Sequence, residues 1–407
     1  KMCPTTIPSN GTSLFSIGDR IYTACFGNGT KKEFLDVKID VNPSAIADKC
    51  TPKVYAEYRL PHIPAPIVVP GPCICNAHHA AMSRSYNNEA EFYPELWLGA
   101  ANRFLSMIDW SKGCDTPLVD LHDIIRGMSG WSKSTKEEAH LVADEIEQHI
   151  YRASNKAFPK VEPFLNKIIA DTRFIQGKWL VWVLLTIQVI KTFKKRTQGC
   201  FNDPNGQVVN GHLLTKDQQG QWFSNNLHLH KSTTDGKSYD STHRLMMRTW
   251  FYSLVCDVVP EISPMQDRAM RDQWTITGSI LRDLAKYTLP TPSKPDDICP
   301  MTSGSTSTSD ENTWLRHVDN IYIHGPTLES SMCGGDDACA ATVDYIDDEQ
   351  IIKRGSEIGR METPDLRDHK MVFLQQHFVR VENEVGELVY MPIPRLGRIF
   401  SKIGLIK

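Results

Sequence analysis

Apolar positions recur along this chain at two spacings, and each spacing predicts its own elements. Residues 93–110 and 135–153 follow helical periodicity. In the second stretch, TKEEAHLVADEIEQHIYRA, residues Ala139, Leu141, Val142, Ile146 and Ile150 fall at helical spacing behind a Ser/Thr start with early acids. The run WLVWVLLTIQVI at 179–190 predicts a buried helix over 178–193, because a membrane span needs ~20 apolar residues. RLMMRTWFYSLVCDVV predicts another helix, and MTSGSTSTSDENTWLRHVDNIYI turns from small polar residues into a helix with Trp314, Leu315, Val318, Ile321 and Tyr322 on one face. Alternation replaces the helical period in MVFLQQHFVRVENEVGELVYM, which reads as two strands joined near Gly386. Residues 200–231, rich in Asn and Gly, predict hairpins and loops, with His228 and His230 alternating as on a strand. Proline-dense residues 60–75 predict an extended segment.

Strands and helices mix without regular βαβ alternation, so the expected class is α+β. The 407 residues suffice for two or three domains or one large multi-part fold. A net charge of −3 excludes a global basic field, so a polyanionic partner would need a local basic channel. The eleven cysteines form an odd, irregularly spaced set, which suits a reducing compartment better than a disulfide framework. The opening KMCPTTIPSN lacks the apolar core of a signal peptide and does not start at Met, so the chain reads as a fragment or a piece of a polyprotein.

Candidate chemistry begins with acids. Asp235 and Asp240 sit in DGKSYD, where a strand running into a bend would put Asp235 at the strand end and Asp240 just beyond. Far along the chain, SSMCGGDDACAA sets Asp336 and Asp337 behind Gly334 and Gly335, which let the backbone turn tightly and keep bulk away from an arriving phosphate. Magnesium takes hard oxygen ligands, and two such ions ~3.5–4 Å apart serve phosphoryl transfer, so Asp235 and Asp336 on neighbouring strands could bridge a pair. Gly-Gly-Asp-Asp is also ordinary turn chemistry, and the acids of DYIDDEQ at 344–350 read as a solvated loop or helix start. SGSTSTSDEN supplies Ser303, Gly304, Thr308 and Asn312; the last two, four apart, share a helix face and with Asp240 could hold a ribose 2′-OH. The stretch 156–175 carries Lys156, Lys160, Lys167 and Arg173 around Glu162, either as cations for a triphosphate or as a solvated face. Cys73, Cys75, His78 and His79 in CICNAHH could ligate zinc, but the spacing is tight for a tetrahedral site and an extended segment accounts for them as well.

The order of these motifs resembles the RNA-dependent RNA polymerases of positive-strand RNA viruses, in the nodavirus, tombusvirus or picornavirus style. KVEP…TRFI is similar to the fingers motif F, DGKSYD to motif A, SGSTSTSDEN to motif B with its S-G-x3-T-x3-N spacing, GGDD to motif C and FLQQHF to the primer grip, motif E. The resemblance covers residues from about 155 to 400 and implies a right hand of fingers and antiparallel-sheet palm, with a truncated thumb. It implies fingers and an N-terminal extension over 1–225, palm over 226–262 and 299–378, a fingers insertion over 263–298, and the end of the palm hairpin and start of the thumb over 379–407. It also implies that Asp235, Asp336 and Asp337 are catalytic and bind two Mg2+ ions (Mn2+ able to substitute). Asp240, Ser303, Gly304, Thr308 and Asn312 would read the ribose, Lys160 and Arg173 would grip the triphosphate, and Phe373, Leu374 and Gln375 would form the primer grip. The partners implied are an RNA template, a primer or nascent strand, NTPs and other viral replication proteins, at replication complexes in the host cytoplasm.

Several features depart from the pattern. The strand before motif C, LESSMC, is only weakly apolar; motif E has Gln375 and Gln376 where a basic residue is usual; and the motif D cation could be Lys353, Arg360, Arg367 or Lys370. GMSGWSKST at 127–135 is a weak match to motif G. Two rivals stand beside this reading: a reverse transcriptase, which shares the palm but carries a bulky aromatic at the sugar gate, and a non-catalytic RNA-binding or interaction segment of a viral polyprotein.

Overall fold

The computed structural model describes residues 38–39, 54–58, 67–70, 91–148, 155–159, 164–165, 174–271, 301, 304–367, 370–374 and 376–394. In chain order the strands are β1 (Lys38–Ile39), β2 (Val54–Tyr58), β3 (Ile67–Pro70), β4 (Asn155–Pro159), β5 (Phe164–Leu165), β6 (Phe174–Lys178), β7 (Val208–Asn210), β8 (His230–Gly236), β9 (Leu328–Gly334), β10 (Asp337–Thr342), β11 (Glu362–Arg367), β12 (Lys370–Phe373), β13 (Gln376–Glu382) and β14 (Leu388–Pro394). The helices are α1 (Pro94–Met107), α2 (Leu121–Gly127), α3 (Lys133–Asp144), α4 (Leu180–Thr197), α5 (Lys216–Asn225), α6 (Leu245–Val258), α7 (Thr308–His324) and α8 (Asp348–Glu357). The class is α+β.

The chain alternates between two compact units. One gathers Lys1–Asn88, Pro117–Thr192 and Asp240–Thr308; the other gathers Glu89–Thr116, Phe193–Tyr239 and Ser309–Lys407. In the first, two small sheets run in the orders β1-β4-β6 and β2-β3-β5. Helices α2 and α3 pack with α4 around Leu121, Ile124, Ile125, Ala139, Leu184 and Ile187. Asp120 caps α2 and Ser132 caps α3, each accepting from the amide three residues on. Thus the motif G-like stretch is the junction between two capped helices. Helix α3 ends at Asp144, short of the predicted 153, where the Glu145 amide turns back to the Val142 carbonyl. The apolar run of α4 is buried as expected, with Trp182, Leu184, Val189 and Ile190 at 3 % exposure or less. Among the described residues no helix is long and apolar enough to cross a membrane, and the described cysteines are free thiols.

The second unit is built on a five-stranded sheet in the order β11-β8-β10-β9-β7, antiparallel except for the parallel pair β9–β7. One face carries Met332, Cys339 and Ala341 into a core with Trp222 and Phe223 of α5 and Met371, Phe373, Phe378 and Tyr390 of the sheet β12-β13-β14. Helix α7 lies against the other face, where His317 and Asn320 reach the Ser331 hydroxyl of β9 at 3.0 and 2.8 Å. Helix α1 backs α7 in turn: Trp97 donates to Asp319, and the Phe104 ring meets Trp314 edge-on. Covered on two sides, α7 buries polar residues as well as apolar ones, so the predicted single apolar face is too narrow: Glu311, Asn312, Arg316, His317, Asp319 and Asn320 are all buried, while Tyr322 is only partly so.

Three further expectations need correction. The stretch 200–231 contains helix α5, opened by a capping box in which Thr215 and Gln218 satisfy each other's backbone amides. His228 falls in the turn before β8, so only His230 is on the strand, its ring edge-on to Tyr345. The late alternating stretch makes three strands, not two, because a second turn after Phe373 adds to the predicted one, where Gly386 adopts φ +83°. The acids at 344–350 do start a helix, with Asp347 capping α8.

Candidate active site

Strand β8 carries Asp235 one residue before its end, and the chain then bends into a short helical turn, Tyr239–Thr242, that includes Asp240. Across the ladder Asp235 pairs directly with Asp337, the first residue of β10. Residues opposed in this way put their side chains on the same face, with Cα atoms about 4.5–5.5 Å apart. Asp336 stands in the two-residue turn that joins β9 to β10 between the paired Gly334 and Asp337. Asp336 thus lies in the turn at the strand end rather than on the neighbouring strand, and Asp337 is the strand neighbour of Asp235.

The glycines have separate reasons. Gly335 holds φ +67° at the first central position of the turn while Asp336 does not share the positive φ, the hairpin pattern that asks for glycine there. Gly334 is required by contact: a Cβ would sit 2.9 Å from a methyl of Leu374. Leu374 follows β12 at φ +43°, in the left-handed region that side chains resist. Its backbone N–H donates to the Asp337 carboxylate. Phe373 is buried beneath, against Gly211, so the predicted primer-grip hairpin abuts the Gly-Gly-Asp-Asp turn.

Charge is concentrated here. Burial, then Asp336, then Asp235 push the Asp337 carboxyl up to about 7, with Arg316 and the Leu374 amide pulling the other way. Asp235 and Asp336 are solvent-exposed. Beside the turn, the imidazole of His212 is held below its ordinary pKa by burial and by Lys194. Beneath the sheet, Arg316 of α7 is fully buried, donates to both carboxylate oxygens of Glu362 at 2.5 and 2.7 Å, and reaches the Thr234 hydroxyl at 2.6 Å. One turn along α7, Asp319 accepts from Arg360, Tyr239 and Trp97 at 2.7, 2.5 and 2.8 Å. This removes Arg360 from the motif D candidates, since its guanidinium is committed inside the fold. Lys353 is exposed on α8, and Arg367 and Lys370 lie on strands whose side chains are outside the description.

The remaining predicted residues divide between the two units. Within the first, the Met301 amide donates to the Asp240 carbonyl at 2.7 Å, setting Asp240 against the segment that leads to Gly304. Thr308 opens α7 with its hydroxyl on the Ser305 carbonyl. Asn312, one turn later, belongs to the second unit and is buried. Lys160, Arg173, Ser303, Gln375, Cys73, Cys75, His78 and His79 lie outside the described residues, as do Glu162 and Lys167.

Among the described residues no group of three or more His, Cys, Asp or Glu side chains is gathered to hold a metal ion. Asp235, Asp336 and Asp337 are the carboxylates at the sheet end that could hold such an ion, and magnesium needs only one or two protein carboxylates when phosphate and water complete its shell. No protein-family model matches the chain, and no curated protein matches it.

Sequence reasoning missed Arg316, Glu362 and His212 as neighbours of the aspartates. Arg316 falls on the polar side of its helix, among Asn312, Thr313, Asp319 and Asn320, and so read as an ordinary solvated position. Glu362 carried no signal.

Proposed function

We propose that this chain is an RNA-dependent RNA polymerase with a right-hand fold, the five-stranded sheet serving as its palm. The observation that carries the reading is the pairing of Asp235 with Asp337, with Asp336 in the intervening turn. Carboxylates brought from two distant chain segments to one sheet end repel one another, and a polyphosphate with its cations would relieve that repulsion. Asp235, Asp336 and Asp337 would hold Mg2+, which when bound supplies activation of a 3′-OH and stabilisation of the departing pyrophosphate. Asp240, Ser303, Thr308 and Asn312 orient the ribose and distinguish its 2′-OH. Lys160 and Arg173 neutralise the triphosphate. The Phe373–Leu374 turn supports the primer end against the aspartates. Template and nascent RNA are then the macromolecular partners, and viral replication complexes in the host cytoplasm the setting.

A reverse transcriptase would use the same carboxylates but exclude the 2′-OH by bulk, whereas Thr308 and Asn312 are suited to read it. A non-catalytic RNA-binding role would make the aspartates dispensable. Primer extension on a homopolymeric RNA template separates the readings. Asp336→Asn is expected to reduce NMP incorporation at least ~100-fold while RNA binding persists, and an active wild type with an equally active variant would remove the catalytic assignment.

A further inference from the structure

The Arg316–Glu362 pair lies on the opposite face of the sheet from the aspartates. Glu362 pairs with Gly236 across β11 and β8, and Thr363 with Asp235, so Glu362 shares its face with Thr234 rather than with Asp235. Arg316 reaches up from α7 and holds Glu362 and Thr234 together, bracketing Asp235 from the two strands that carry it and its neighbour. Both side chains of the ion pair have no solvent exposure. A buried ion pair of this kind is weak support for stability, since well-packed apolar residues often replace one without loss. The arrangement therefore calls for another reason, and its position supplies one: it is a fixed, desolvated ion pair on the opposite face of the strand ends that carry the aspartates.

We propose that Arg316, with Glu362 as its anchor, is a positioning residue for the aspartate cluster, fixing the end of β8 in register and setting a positive charge under Asp235 and Asp337 so that divalent cations are held productively. The proposal rests on the polymerase reading above. The bidentate fork matters because it fixes direction as well as charge, which a lysine ammonium does not. Groups that orient metal-binding side chains from behind typically account for ~10–100-fold in metal affinity.

The test is direct Mn2+ binding, followed by the EPR signal of free Mn2+, on the full chain. The variants are Arg316→Met/Glu362→Met, which replaces the pair by apolar side chains of similar length, and Arg316→Lys, which keeps charge without the fork. Ser331→Ala, which removes buried hydrogen bonds from the same sheet without touching the pair, gives the baseline for general loosening. The double variant is expected to fold, as judged by circular dichroism, and to bind Mn2+ at least ~10-fold more weakly, with Arg316→Lys intermediate and Ser331→Ala near wild type. If the double variant does not fold, Arg316→Lys decides: weaker binding supports the proposal and unchanged binding overturns it. Equal Mn2+ affinity in folded variants overturns the role of Arg316 while leaving the polymerase reading intact. Absence of both Mn2+ binding and nucleotide incorporation in the wild type overturns the polymerase reading itself, and this proposal with it.

Discussion

At the scale of single residues, Asp337 shows how a position sets a property that its residue type does not. An aspartate normally ionises near 3.9, yet this one is pushed up to about 7 by burial and by Asp336 and Asp235. With the folded-state value above the unfolded one, the folded chain holds the extra proton between those two limits. The metal-free protein therefore loses stability as pH rises from about 4 through about 7, by at most roughly 4 kcal/mol. Asp337→Asn removes that loss. In chelator, urea titration is expected to find the variant gaining stability relative to wild type at pH 8 over pH 5, and an equal difference at both values would refute the electrostatic account. Asn312 tests the sugar-reading group: Asn312→Ala is expected to raise the use of dNTP relative to NTP in the same extension assay, and an unchanged ratio would exclude it. Such properties were partly legible. Gly335 was readable because a tight turn before two acids demands a flexible residue. The contact that excludes a side chain at Gly334 was not, because Leu374 is its neighbour only in the fold.

Among elements, β9 explains a departure that looked like a weakness. Its LESSMC sequence is poorly apolar, yet Ser330 and Ser331 are buried. Ser330 takes a hydrogen bond from the Trp222 indole and donates to the Gly206 carbonyl, both at 2.9 Å. Ser331 is met by Asn320 and by His317, whose imidazole burial pushes down to about 3 and so keeps neutral. A strand with satisfied hydroxyls can be central without being apolar. Ser331→Ala is expected to cost ~1–3 kcal/mol by leaving buried donors without their partner, and a thermal melt unchanged from wild type would contradict this. Helix α5 makes the complementary case: the cap signal Thr215-x-x-Gln218 was present in the sequence, but Asn- and Gly-rich flanks outweighed it. Thr215→Ala is expected to cost ~0.5–2 kcal/mol, measured by chemical denaturation.

For the whole molecule, the chain's alternation between two units places the three aspartates in one of them, so the proposed cation ligands all come from that unit. Binding of a ligand to the folded state alone raises stability by about 1.4 kcal/mol at ten times its dissociation constant. Adding Mg2+ to chelator-treated protein is thus expected to raise the melting temperature by a few degrees, and Asp235→Asn/Asp336→Asn to abolish the rise. A shift of equal size in that variant would locate magnesium elsewhere.

Local period, turn chemistry and capping act over a few residues, so the mixed α+β class, a buried helix within 178–193, the strand-then-bend around Asp235, the helix after the Ser/Thr-rich stretch and the tight turn at the paired glycines were legible from the order of amino acids. Folding alone brought Asp337 rather than Asp336 opposite Asp235, set Arg316 and Glu362 on the other face of the sheet and tied Arg360 to Asp319. Those facts depend on strand register and on side chains meeting across many intervening residues, and no local pattern encodes which of two adjacent acids a distant strand will meet.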